Sequence, residues 1–277
     1  MKRTTVLLAC LLALLGGALA QTQAQPQTAT ADSLHQRGLA LFEAGAYPEA
    51  LDAWNLAIAQ APRAVYFYQR GLCFAELGNV EASLLALKTA VGLDSSLYKA
   101  HRALAELYWL KTDLLACLEA VNRALAVVAN DPESLFIRGR LHLVYQRYPA
   151  AAADFTAYLD QRPTDPEGRY MRGKAYRGNA QYTEAIVDYQ AALAELPDWP
   201  DALNDLGLVL TETNRPAEAI PYLERATALD PNSATAHFNL GIALEQVNRL
   251  DEACVAWRKA HDLGDADAFR FVRRYCR

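Results

Sequence analysis

Polar and apolar positions along most of this chain alternate with a helical period, in pairs of blocks that return at a fixed interval. The stretch from Ala202 to Pro231, ALNDLGLVLTETNRPAEAIPYLERATALDP, shows the pattern most clearly. Leu203, Leu206 and Leu210 recur at the spacing of one helical face, and Ala219, Leu223 and Ala226 recur on a second. Two helices joined by a turn satisfy that order. With each unit numbered 1 to 34, position 8 holds Gly38, Gly71, Ala105, Gly139, Gly173, Gly207 and Gly241, the first interval being 33 residues and every later one 34. Position 20 is small every time: Ala50, Ser83, Cys117, Ala151, Ala185, Ala219 and Ala253. Position 27 is alanine except for Tyr158, and position 24 is bulky throughout, from Trp54 to Trp257.

Each choice has a physical reason. Small residues at positions 8 and 20 let the two helices of a unit approach closely, and Ala at 27 lets the next unit lie against them. Large residues at 4, 11 and 24 fill the space beside those contacts. Pro62, Pro163, Pro197 and Pro231 close four second helices, because proline lacks the N–H that continues one. Asp131-Pro132-Glu133 and Asp165-Pro166-Glu167 read as helix starts, with Asp as N-cap and Pro at the first helical position.

This order and spacing resembles the tetratricopeptide repeat, a helix–turn–helix unit of about 34 residues. The resemblance implies an all-α, right-handed superhelical solenoid, of about one turn for seven units. The units run 31–63, 64–97, 98–131, 132–165, 166–199, 200–233 and 234–267. Residues 268–277, AFRFVRRYCR, are expected to form a capping helix over the last unit, with Phe269, Val272 and Tyr275 or Cys276 on one face.

The start of the chain has a different character. Lys2 and Arg3, an apolar run from Val6 to Leu15 and the small-x-small triplet Ala18-Leu19-Ala20 read as a cleaved secretory signal, residues 1–20. Cleavage after Ala20 changes the formal charge from −5 to −7 and places the protein in the periplasm or outside the cell, the style of signal pointing to a bacterial envelope. Leu7-Leu8-Ala9-Cys10 resembles a lipobox, which would instead tether the protein through Cys10. Residues 21–30, QTQAQPQTAT, hold no charge and no large apolar side chain, and read as a flexible spacer.

Candidate chemistry is sparse. The net negative charge argues against nucleic acid as a partner. His35, His101, His142, His237 and His261 fall at frame positions 5, 4, 11, 4 and 28, without metal-ligand spacing. No phosphate loop or nucleophile elbow appears, so no catalytic, metal or cofactor residue is assigned and the chain reads as a non-enzyme. Cys73 and Cys117 occupy positions for small buried residues and read as core thiols. Cys254 and Cys276 are either bridged, in an oxidising compartment, or two unpaired residues. Position 7 is Arg37, Arg70, Arg138 or Arg172 in four units, and Asp154 and Asp188 stand at position 23 of units four and five. The ion pairs Arg138–Asp154 and Arg172–Asp188 follow, whereas Arg37 and Arg70 face Ala53 and Ala86 and need another partner.

In tetratricopeptide repeats the first helices line the concave face through positions 2, 5, 6, 9, 12 and 13. The resemblance therefore places Tyr68, Lys99, Arg102, Trp109, Phe136, Arg140, Tyr170, Lys174 and Arg177 in a basic, aromatic groove suited to an extended peptide. Unit six offers Asp201, Asn204, Asp205 and Glu212 instead. The carboxylate clamp of chaperone-binding members is missing, its positions 5 and 9 reading His35 and Leu39, Tyr68 and Leu72, Arg102 and Glu106, and Phe136 and Arg140. The expectation is a protein- or peptide-binding scaffold with an unidentified partner. The alternative is a structural assembly module that uses its convex face or solenoid ends.

Overall fold

Helix starts are written locally. Thr30, Asp131, Asp165, Ser233 and Asp265 each accept a hydrogen bond from the backbone N–H three residues on, satisfying one of the donors a helix leaves unpaired at its start. Asn79 and Asp113 do the same for two second helices. The computed structural model describes residues 29–276, which form two units meeting at Pro62 and Arg63. The stretch expected to be a signal peptide, its expected cleavage site, Cys10 and most of the expected spacer lie outside the described residues.

The first unit holds α1 (Ala31–Glu43) and α2 (Tyr47–Gln60). Ala29, assigned to the spacer from sequence, accepts a 2.9 Å hydrogen bond from Gln60 Nε2. Trp54 is fully buried and its indole N–H donates to His35 Nδ1 at 3.1 Å.

The second unit contains the remaining thirteen described helices. They are α3 (Ala64–Glu76), α4 (Val80–Leu93), α5 (Tyr98–Leu110), α6 (Leu114–Val127), α7 (Pro132–Val144) and α8 (Tyr148–Leu159). After these come α9 (Pro166–Gly178), α10 (Tyr182–Glu195), α11 (Pro200–Glu212), α12 (Pro216–Leu229), α13 (Ala234–Gln246), α14 (Leu250–Asp262) and α15 (Ala266–Tyr275). Successive helices of this unit pack as antiparallel pairs, and within it the second helix of each pair packs on the first of the next.

The core runs through the frame positions. Ala90, Cys117, Val121, Phe155, Tyr189, Leu223 and Trp257 are inaccessible or nearly so. A Cβ built on Gly139 would lie 2.9 Å from Phe155 Cε1, and one on Gly173 would lie 2.7 Å from Tyr189 Cε1. The small residue at position 8 is thus a seat for the bulky side chain at 24, beyond the backbone approach expected from sequence. Tyr158, the exception at position 27, has its own compensation: a Cβ on Gly168 would lie 2.6 Å from its Cε1, and its hydroxyl donates to Asp165 at 3.0 Å.

Position 15, a turn residue the periodicity does not mark, has positive φ in all seven pairs: Gly45, Gly78, Thr112, Gln146, Ala180, Asn214 and Asn248. The residue after it donates its N–H five residues back, as Asp113 does to Tyr108 O at 2.9 Å and Arg215 to Leu210 O at 2.8 Å. Every first helix therefore ends in the same Schellman closure.

The terminal helix α15 begins and ends two residues earlier than its sequence pattern indicated. Phe271, Val272 and Tyr275 face the preceding pair, the Phe271 and Tyr275 rings standing 4.9 Å and 5.6 Å from Trp257. Phe269, expected on that face, is exposed beside His261, because a start at Ala266 turns it outward. The sulfurs of Cys254 and Cys276 are bonded, with Cα atoms 5.5 Å apart, and tie the end of α15 to α14.

Candidate functional site

Frame positions 9, 12 and 13 of α5, α7 and α9 turn to one side of the second unit, and there they enclose an open cavity of about 430 Å³. Leu143, Val144, Met171 and Tyr148 give it an apolar wall, and Gly178 leaves room for the Tyr148 ring. Trp109 and Tyr189 also line it, and Arg140, Lys174 and Arg177 bring three cations to it.

These cations differ in their commitments. Arg177 donates to both carboxylate oxygens of Glu212, at 3.0 Å and 2.6 Å, and is neutralised by it. Arg140 lies over the Trp109 ring, 4.1 Å from its centroid, and Lys174 stands 5.3 Å from the Tyr170 centroid. Among the described residues neither Arg140 nor Lys174 has a carboxylate within 4.0 Å. The aromatic face holds the half-buried Arg140 in place without occupying its N–H groups as a carboxylate would. Lys174 also lines a second, polar cavity of about 340 Å³ with Asp201, Asn204 and Asp205.

Tyr189 is fully buried, and its hydroxyl has no hydrogen-bond partner among the described residues. Burial, with the nearby Asp205 carboxylate, pushes its pKa up, so it remains an O–H donor. An unmatched buried donor is costly, and Tyr189 is one of the residues that line the cavity. Beside it, Tyr170 donates to Asp205 Oδ2 at 2.9 Å, and Asn239 donates to Asn204 Oδ1 at 2.9 Å. Desolvation raises the Asp205 pKa, against the opposing pull of Tyr170 and Lys174.

The sequence-derived groove is therefore thinner than it read. Tyr68 and Tyr170 are buried, and Tyr170 serves Asp205. Phe136 packs against Phe155 and Tyr158, with centroids at 5.6 Å and 5.1 Å. Arg102 is taken by Asp131 and Glu133, both at 3.1 Å, and lies near Glu106. Lys99 is exposed away from the cavity. Trp109, Arg140 and Lys174 remain available. Sequence reasoning passed over Leu143, Val144 and Met171 as aliphatic, although they hold groove positions; Tyr148 and Tyr189 come from second helices, which the groove positions ignore.

The paired charges elsewhere are structural. Arg138 donates to Asp154 at 2.8 Å and 2.6 Å, and Arg172 to Asp188 at 2.7 Å and 2.8 Å, both carboxylates being buried. Arg37 is exposed, and Arg70 lies over Phe67 at 4.9 Å. Buried surroundings push the Cys73 and Cys117 thiols up to about 11. His101 and His237 each place Nε2 against a backbone carbonyl six residues back, at 3.0 Å and 3.2 Å, and no metal-ligating cluster occurs among the described residues.

The family profile described as tetratricopeptide repeat matches residues 35–98, 102–166, 170–234 and 205–268. The chain belongs to the tetratricopeptide repeat family. A search of curated proteins finds no match. Among solved structures it is similar to a tetratricopeptide repeat protein from Parabacteroides merdae, at 16% identity and a TM-score of 0.59, covering 87% of this chain and 96% of that one. YrrB, described as a tetratricopeptide repeat protein with an unusual peptide-binding site, aligns at 20% identity and a TM-score of 0.59 over 68% of this chain and 98% of its own. MamA from Desulfovibrio magneticus aligns at 18% identity and a TM-score of 0.57 over 61% and 96%. At these identities the likeness is one of fold, an all-helical repeat solenoid. Among the described residues no helix is long and apolar enough to cross a membrane.

Proposed function

We propose that this protein is a non-enzymatic scaffold of the bacterial cell envelope that binds an extended segment of a partner protein along α5, α7 and α9. The tetratricopeptide fold generally mediates protein–protein interaction, and the observation that carries the reading is the cavity where Arg140 and Lys174 lack carboxylate partners beside an apolar wall. A stable partner gains from such a place because apolar area and unpaired charge are offered together.

A photoreactive residue at Val144, which is 51% exposed, tests the groove, with Val255 on α14, 68% exposed, as the control. A discrete adduct from Val144 that disappears on Arg140→Glu supports the reading. Adducts from Val255 alone move the function to the second helices. That outcome would favour the assembly reading, for which Leu85, Val187 and Val255 are the motivating observation: all stand at position 22 and all are well exposed. Charge reversal at Arg140 and Lys174 would leave assembly intact. The envelope address is tested by N-terminal sequencing of the exported protein, which should begin at Gln21; retention of Met1 would remove it.

A further inference from the structure

The partner's chemistry can be read from the same cavity, an inference that rests on the groove binding a segment at all. We infer that the cavity takes the side-chain carboxylate of an acidic residue within that segment, flanked by an apolar side chain. Three residues with donor groups line the cavity, and none of them has a hydrogen-bond or close ion-pair partner among the described residues. Arg140 lies half-buried over Trp109, Lys174 is exposed, and the buried Tyr189 hydroxyl has no acceptor among the described residues. All three line one cavity, of about 430 Å³. A carboxylate is acceptor-only and carries the charge both cations lack. The wall formed by Leu143, Val144 and Met171 then faces the neighbouring residue of the segment, and an aliphatic or aromatic side chain covers it. Arg177 adds little, because Glu212 already holds it in a two-point pair.

Binding at an internal residue follows from the setting. The cavity is lined from three successive first helices, which leaves wall for chain on both sides of the residue that enters it. A basic segment is disfavoured here, since it would bring like charge to Arg140 and Lys174 with no acidic residue in the cavity lining.

The test is selection of displayed random peptides on the purified protein, repeated on the Arg140→Gln/Lys174→Gln double variant. Enrichment of Asp or Glu next to an aliphatic or aromatic residue, lost on the double variant, is the expected result. Synthetic versions of the winners should weaken at least about tenfold when the acid becomes its amide, and about fivefold on Tyr189→Phe, in line with charged and neutral hydrogen bonds respectively. Capping the peptide's C-terminus as an amide should change little; a large loss on capping would assign the site to a terminal carboxylate instead and overturn the inference. Free glutamate or succinate competing at equal concentration would do the same in favour of a small anion. Winners without acidic residues that still cross-link at Val144 would sink the inference and leave the groove standing. An empty selection, with no adduct at Val144, would sink both.

Discussion

At the scale of single residues, small differences at one frame position have measurable consequences. Thr112 holds φ 57° at position 15, where glycine or asparagine serves four of the seven turns. A β-branched side chain in that region is strained by about 1 kcal/mol, so Thr112→Gly should stabilise the protein by about 0.5 kcal/mol after the entropy cost of glycine. Equal or lower stability in a urea titration would count against strain at that turn. Gly139 is the opposite case. Its missing Cβ is occupied by the edge of the fully buried Phe155 ring, so Gly139→Ala should cost about 1–3 kcal/mol despite alanine's better helix propensity. Tyr189→Phe removes a buried hydroxyl that has no partner, and should raise stability by about 1 kcal/mol. Higher stability together with weaker peptide binding would mark the hydroxyl as kept for a ligand.

At the scale of helices, units three, six and seven join their two helices through an apolar residue at position 7: Leu104, Leu206 and Leu240. Units four and five use Arg–Asp pairs at the same place. Arg138→Met alone leaves Asp154 buried and unpaired, and should cost about 3 kcal/mol, whereas adding Asp154→Leu should recover most of it. No recovery in the double variant would show that the pair contributes more than its own charge. His142 sits 3.7 Å from Asp154 at this junction. Burial lowers its pKa below the ordinary 6.5, with Arg138 and Arg147 acting in the same direction and Asp154 against them. The folded state therefore binds its proton less readily than the unfolded one, and this part of the stability is present above 6.5 and lost as the pH falls through 6.5 toward the lowered value. Urea midpoints should drop between about pH 7.5 and 5.5, and drop less in His142→Gln; parallel curves would exclude the histidine.

At the scale of the molecule, a repeat solenoid is weakest at its ends, where a helix pair has a neighbour on one side only. The far end is closed by α15 and by the Cys254–Cys276 bond, which spans 22 residues. Loop-closure entropy gives such a link about 3 kcal/mol, so Cys276→Ser should lower the melting temperature and raise amide exchange first in α15 and α14. Uniform loss of protection along the chain would mean that the cap is not an independent element.

The repeat itself was open to reading because its causes are local and recur seven times. Helical periodicity, small residues at 8 and 20, and caps such as Asp131 and Asp165 act within one unit, and the Arg–Asp positions are only 16 residues apart, inside one helix pair. Availability within the groove was not open in the same way. Whether a groove side chain is free depends on a partner in the next unit: Tyr170 on Asp205 and Arg177 on Glu212, each 35 residues away, and Arg102 on Glu133, 31 away. A list of residues that face one side cannot distinguish Arg177, already paired, from Arg140, which stacks on Trp109 and keeps its donors. The periodic pattern determined the helices, their pairing and the positions that share one side of the first helices. Only the stacking of one unit on the next decided which charges are spent and which stay open, because those contacts are set by geometry between units and no single repeat encodes them.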